Sequence, residues 1–282
     1  MLLNTKEMSV LKNIKLYIFC AVSLICIVAA RFIQIVFLTD TKTGFFIEGL
    51  ESTGTLLSAF VIIVIAAAAA LSLIFKSSKE FKYPGYSAFM GFSSLICGLA
   101  QIAEPFFTKS PALLTAGALV AVRDVFIVIS GAMFCYLAYC LFTGVNAKNI
   151  TFAVFVISWV LRLLVTFISF TRMSNISDNI YDVIMLVFTL SFFLLQGKLV
   201  CNIKVKNSVK AIRAVGIAAI ASTAAAAVPS EIVILSGIKN YERTSLESPI
   251  TGIFTAVYIA ACLFNISKSG TATYKPKTKK IQ

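Results

Sequence analysis

The chain has no histidine in 282 residues, a single tryptophan, and only 13% charged residues, about half the ~25% usual in soluble domains. Without histidine, zinc metalloproteases, Ser-His hydrolases and bis-His haem carriers each lack an obligatory group. Most membrane enzymes are thereby set aside, and no metal or cofactor is expected. Acids are scarcer than bases, at 12 against 25. The seven cysteines contain no C-x-x-C pair and all lie in or beside apolar runs. They read as small buried hydrophobes and not as a disulfide framework. A G-x-x-x-x-G-K-[ST] nucleotide loop is also missing, so any ATP drive would have to come from a partner subunit.

What the chain has instead is apolar bulk. Hydrophobic residues make up 59% of it and mean hydropathy is +0.93, which excludes a soluble globular protein. At about 20 apolar residues per bilayer crossing, this content matches eight crossings. Apolar runs fall at 14–38, 53–75, 85–107, 111–142, 150–170, 180–200, 211–237 and 249–266, with most charges between them. The first run follows Lys6, Lys12 and Lys15 but is too long for a signal peptide's apolar region, so it reads as a retained helix. The fold expected is all-α: one polytopic transmembrane domain over 1–282, a bundle of eight helices without a soluble domain.

Sorting Lys and Arg by alternate loops tests that count. Seventeen fall on one side, including Lys76, Lys79, Lys82, Lys204, Lys206 and the tail Lys275–Lys280, against five on the other. The positive-inside bias then places both termini in the cytoplasm of a plasma-membrane protein. Juxtamembrane position accounts for the net charge of +13: cations there are drawn to anionic lipid, so the lipid bilayer is the expected partner and nucleic acid is not. Residues 267–282 read as a disordered basic tail.

Two runs are irregular. The stretch 111–142 would be about 48 Å long as one helix against a core of about 30 Å, so Pro111–Asp124 is expected to project from a span that begins at Val125. Pro229 interrupts the seventh run, where it removes an amide donor and opposes the Ala225 carbonyl, marking a candidate hinge. Before it, Ala218–Ala227 form a small-residue surface like that of Ala66–Ala70 in the second run, suited to close helix packing.

Ionisable residues inside a membrane are functional candidates by default. Arg31, Glu104, Arg123, Asp124, Arg162, Asp182 and Glu231 fall toward the non-cytoplasmic half. Helical spacing extends several into polar stripes: Arg31 with Gln34, Gln101 with Glu104, and Ser158 with Arg162 and Thr166, with Trp159 three residues before Arg162. These stripes are expected to converge on a polar interior or an outward-opening cavity. Glu231 or Asp182 is the expected partner of Arg162 by depth, and Arg123 and Asp124, about 100° apart on a helix, are expected to pair with other helices. Arg31 to Glu51 and Arg162 to Asp182 are both 20 residues, a faint sign of a parallel 4+4 repeat over 1–142 and 149–266.

These features point to a small-solute transporter or solute-binding membrane subunit for an anionic or zwitterionic solute, with a partner membrane or ATPase subunit left open. The alternative is a structural, sensory or immunity-type membrane protein whose charges only pair with one another. A membrane enzyme is the third reading, with carboxylates as its acid–base groups, and the balance leans against it.

Overall fold

The computed structural model describes residues 5–40, 45–74, 86–107, 113–170, 176–201, 203, 207–238 and 248–269. Its helices are α1 (Thr5–Ile33), α2 (Glu51–Ile74), α3 (Ala88–Phe107), α4 (Leu113–Thr143), α5 (Asn149–Phe170), α6 (Ile176–Val200), α7 (Ser208–Ser236) and α8 (Pro249–Ser269). No strand longer than a single bridge occurs among the described residues. Each helix is long and apolar enough to cross a membrane, consistent with an integral multi-pass membrane protein. Large apolar side chains such as Leu56, Ile63, Phe89, Phe92, Tyr139 and Phe167 face outward, as a bilayer solvent requires. The basic tail beyond Ser269 lies outside the described residues.

Successive helices are antiparallel, so α1, α3, α5 and α7 finish at the same end of the bundle, which we call the distal end. Six helices close a ring: α3 packs on α4, α4 on α5, α5 on α6, α6 on α7, α7 on α8, and α8 back on α3. Outside it, α1 and α2 pack on each other and on α7. The tightest seam joins α3 and α4, where a Cβ on Gly98 would stand 2.7 Å from the Gly131 carbonyl oxygen, and one on Gly131 would stand 2.7 Å from that of Gly98. Only glycine at both positions lets the backbones approach so closely.

Aromatic rings fill the middle of the six-helix ring. Phe134 of α4 stacks on Phe155 of α5 with centroids 4.0 Å apart and meets Tyr258 of α8 edge-on at 5.1 Å. Phe193 of α6 stacks on Tyr258 at 6.1 Å and on Trp159 at 5.8 Å. Beneath this pile the Gln196 amide donates to the Tyr258 hydroxyl at 2.7 Å.

Several local expectations are corrected. The fourth helix breaks at Gly117 (φ 2°, ψ −82°), earlier than expected, and the helix that follows carries Arg123 and Asp124 within its span Gly117–Thr143. α1 ends in a π-helical turn, Gln34–Leu38, which hydropathy does not register. Of the cysteines, Cys97, Cys140 and Cys262 are buried, whereas Cys26 and Cys201 are exposed, and all seven are free. Cys26 lies on the outward face of α1, where an apolar thiol costs nothing in lipid.

Candidate functional site

The candidate site lies inside the ring on the distal side of the aromatic pile. Its centre is an ion pair between two helices that are not neighbours. Arg162 of α5 donates from Nη1 to Glu104 Oε1 at 3.0 Å and from Nη2 to Oε2 at 2.6 Å, across the position that α4 occupies between α5 and α3. Both side chains are 1% exposed. The arrangement is the bidentate fork, the strongest form of such a contact. Depth had suggested Glu231 or Asp182 as the partner of Arg162, and Glu104 takes that place.

Each member of the pair has other support. The Ser248 backbone N–H, at the start of α8, donates to Glu104 Oε1 at 3.2 Å, and the Thr251 hydroxyl adds a further hydrogen bond. The carboxylate thus also serves the positive end of the α8 dipole. The Arg162 guanidinium lies over the Trp159 ring, 5.1 Å from its centroid, a cation–π contact that the i,i+3 spacing allows.

One helical turn from the pair toward the aromatic pile lies a polar layer. Gln101 (α3), Ser130 (α4), Ser158 and Trp159 (α5) are all buried, on the helix faces that carry Glu104, Phe134 and Arg162. The Gln101 amide donates to Cys97 Sγ at 3.7 Å, and Cys97 meets the Thr255 hydroxyl of α8 at 3.5 Å. Four polar atoms of this layer have no hydrogen-bond partner among the described residues: Gln101 Oε1, Ser130 Oγ, Ser158 Oγ and Trp159 Nε1. Leaving a buried donor or acceptor unsatisfied costs about 1–3 kcal/mol. Ser130 carries no signal in its own sequence context; its place is apparent only from the stripe it shares with Ile127, Phe134 and Leu137, all fully buried.

The other sequence candidates gather elsewhere. Arg31 donates from Nη1 to Gln34 Oε1 at 2.6 Å and lies 4.2 Å over the Tyr181 ring of α6. Gln34 in turn donates to the Gly54 carbonyl at 3.0 Å and the Ser58 hydroxyl at 2.7 Å. The π turn and α2 hold this second cluster. Gly54 is required there: a Cβ would stand 2.5 Å from the Phe46 ring. Asp182, beside Tyr181, is buried. Arg123 donates from Nε and Nη2 to Oδ1 of the adjacent Asp124 at 2.9 and 2.8 Å; the long side chain folds back across the 100° between them. Glu231 is half-buried on α7, which stays helical through Pro229.

No group of three or more potential metal ligands occurs among the described residues. No protein family model, no curated protein and no solved structure matches the chain.

Proposed function

We propose that the protein is a small-solute transporter or solute-binding subunit of the plasma membrane, both termini cytoplasmic, that takes its solute inside the six-helix ring between the Glu104–Arg162 pair and the aromatic pile. The observation that carries this reading is the layer of four buried polar atoms without partners, on three different helices beside an ion pair. A bundle built only to be stable gains by pairing such atoms or replacing them with apolar groups. Intramembrane ionisable groups facing a bundle interior are typical of solute pathways.

The ion pair then acts as a closure at the distal mouth. Its separation is eased because Glu104 keeps Ser248 and Thr251 as donors, while Arg162 keeps the Trp159 ring. In the open form Arg162 holds the anionic group of the solute.

The fully buried, bidentate geometry of the pair favours a second reading, in which it only fixes helix register. Chemical access separates the two. Cys97 lies in the polar layer, and its thiol reacts only as a thiolate, which needs water. With the other six cysteines replaced, Cys97 reacts with methyl methanethiosulfonate in the membrane if the ring opens. No reaction under conditions that modify an exposed control cysteine refutes the central site in favour of the structural reading.

A further inference from the structure

We infer that the six-helix ring holds a second polar site on the proximal side of the aromatic pile, where Thr151 and Gln196 bind water, so that the pile is the barrier between two hydrated halves of one pathway. The inference rests on the proposed transport reading and carries its pathway to the other face.

Gln196 places the site inside the ring. It lies on α6, yet its amide donates to the Tyr258 hydroxyl at 2.7 Å and to Cys262 Sγ at 3.8 Å, both on α8, and α7 stands between those two helices. The side chain therefore crosses the interior, as the Glu104–Arg162 contact does toward the distal end. Gln196 is fully buried, and its Oε1 has no hydrogen-bond partner among the described residues. Turning the amide over would only leave its nitrogen unpaired instead.

Thr151 of α5 repeats the pattern. It opens the inward stripe that continues through Phe155, Ser158 and Arg162, it is fully buried, and its hydroxyl likewise has no partner among the described residues. A Cβ on Gly197 would stand 3.5 Å from Phe152, so the residues next to Gln196 and Thr151 meet and the two groups share a level. An amide end and a hydroxyl facing one interior supply the polar partners that a buried water needs. Charge is absent from this level: the fully buried charged residues Arg31, Glu104, Arg123, Arg162 and Asp182 all lie toward the distal side. A neutral site within about one turn of the proximal ends of α5 and α6 suits water and not an ion. Between it and the layer of Gln101 and Ser130 stand the rings of Phe134, Phe155, Phe193 and Tyr258, which offer water no hydrogen bond across the pile except through the Tyr258 hydroxyl.

Two native thiols report on the two sides, Cys97 beside Gln101 and Cys262 beside Gln196. Each reacts only as a thiolate, which needs water. The full chain, with Cys97, Cys262, Cys26 or Cys201 kept as the only cysteine, is placed in sealed vesicles of uniform orientation, and impermeant (2-sulfonatoethyl) methanethiosulfonate is applied to one face at a time. Exposed Cys201, at the end of α6, identifies the proximal face, and outward-facing Cys26 gives the rate in lipid. Cys262 is expected to react from the proximal face alone, about tenfold or more faster than Cys26. Thr151→Val and Gln196→Leu should each slow Cys262 by about threefold or more and leave Cys97 unchanged. If one of these variants does not fold the other serves, and if neither folds the vesicle rates decide alone. A Cys262 rate no higher than that of Cys26, reaction of Cys262 from the distal face, or no slowing in either variant overturns the inference. Reaction of Cys97 with Cys262 inert overturns it while leaving the central site standing, whereas reaction of Cys262 with Cys97 inert removes the central site and keeps the proximal one.

Discussion

Removing Arg162 and Glu104 singly and together measures how far the ring depends on the ion pair that joins them across it. The two hydrogen bonds of the fork, at 2.6 and 3.0 Å, join side chains that are both 1% exposed, so solvent cannot replace either partner. Breaking a buried pair on one side costs about 3–5 kcal/mol. Arg162→Gln belongs at the low end, because the carboxylate it leaves keeps the Ser248 N–H and the Thr251 hydroxyl. Glu104→Gln sets a neutral amide opposite the guanidinium and should fall within the same range. At about 2–4 °C per kcal/mol for a chain of this size, Arg162→Gln should lower the melting temperature by roughly 6–12 °C.

The double variant leaves no lone charge and should recover much of the loss, with a coupling free energy of about 2–4 kcal/mol. Thermal unfolding of all four proteins in one detergent, followed by near-ultraviolet circular dichroism, gives the cycle. Additive single effects, or a double variant less stable than Glu104→Gln alone, would refute the view that the pair is a mutually dependent buried contact.

Three further outcomes follow from the geometry. Gln34→Leu removes the acceptor held at 2.6 Å by Arg31 and should cost about 1–3 kcal/mol in thermal unfolding, more than Ser58→Ala, which removes only one of the contacts that Gln34 makes. Gly98→Ala drives a methyl toward a carbonyl oxygen 2.7 Å away and should cost about 1–3 kcal/mol, whereas Gly197→Ala on α6, whose nearest new neighbour is 3.5 Å away, should be neutral or stabilising by up to ~1 kcal/mol. In a cysteine-free background, cysteines at Val145 and Ile203 should react with an impermeant reagent only after the membrane is opened, and one at Glu48 in intact cells; the reverse pattern would overturn the charge-based orientation.

All eight helices could be read from the sequence, because apolar runs of crossing length separated by charges admit few alternatives. The π turn could not, since Gln34–Leu38 has the same hydropathy whether donor and acceptor are four or five residues apart along the chain. The break at Gly117 was misplaced because a length argument says that a run is too long without saying where it yields. The error over Arg162 is more instructive. Depth along a helix ranks possible partners but says nothing of azimuth, so it favoured Glu231 and Asp182 over Glu104. Azimuth was nevertheless written in the polar stripes. Glu104 continues a stripe with Gln101, and Arg162 continues one with Ser158 and Thr166, so both helices turn a polar face inward. Glu231 has Ala227, Val228, Ile234 and Leu235 at those spacings and belongs to no stripe. A charge that extends a stripe is the one to expect in the shared interior.

The same distinction between depth and facing explains the alanines of α7. Small residues on one side of a helix suggest a single close neighbour; in α7, Ala218, Ala219, Ala221, Ala225, Ala226 and Ala227 lose almost all their exposure, while Ile217, Ile220, Ala224, Val228 and Glu231 keep one half-exposed stripe. The cause is position. α7 is the most enclosed of the eight helices because it closes the ring between α6 and α8 and carries α1 and α2 on its outer side. Four neighbours leave little room for long side chains over most of its circumference, whereas of Ala66–Ala70 in α2, a peripheral helix, only Ala68 is fully enclosed. Where the chain needs polar satisfaction in this crowded helix it uses short hydroxyls that bond back to its own backbone, Thr223 to Ala219 and Ser230 to Ala226, each at 2.8 Å. Those bonds leave no donor to spare on either side chain, unlike Ser130 and Ser158 within the ring. The spare hydrogen-bonding capacity of the bundle is therefore not spread evenly over its buried hydroxyls: α7 consumes its own, whereas Ser130 and Ser158 beside Glu104 and Arg162, and Thr151 at the start of α5, retain theirs.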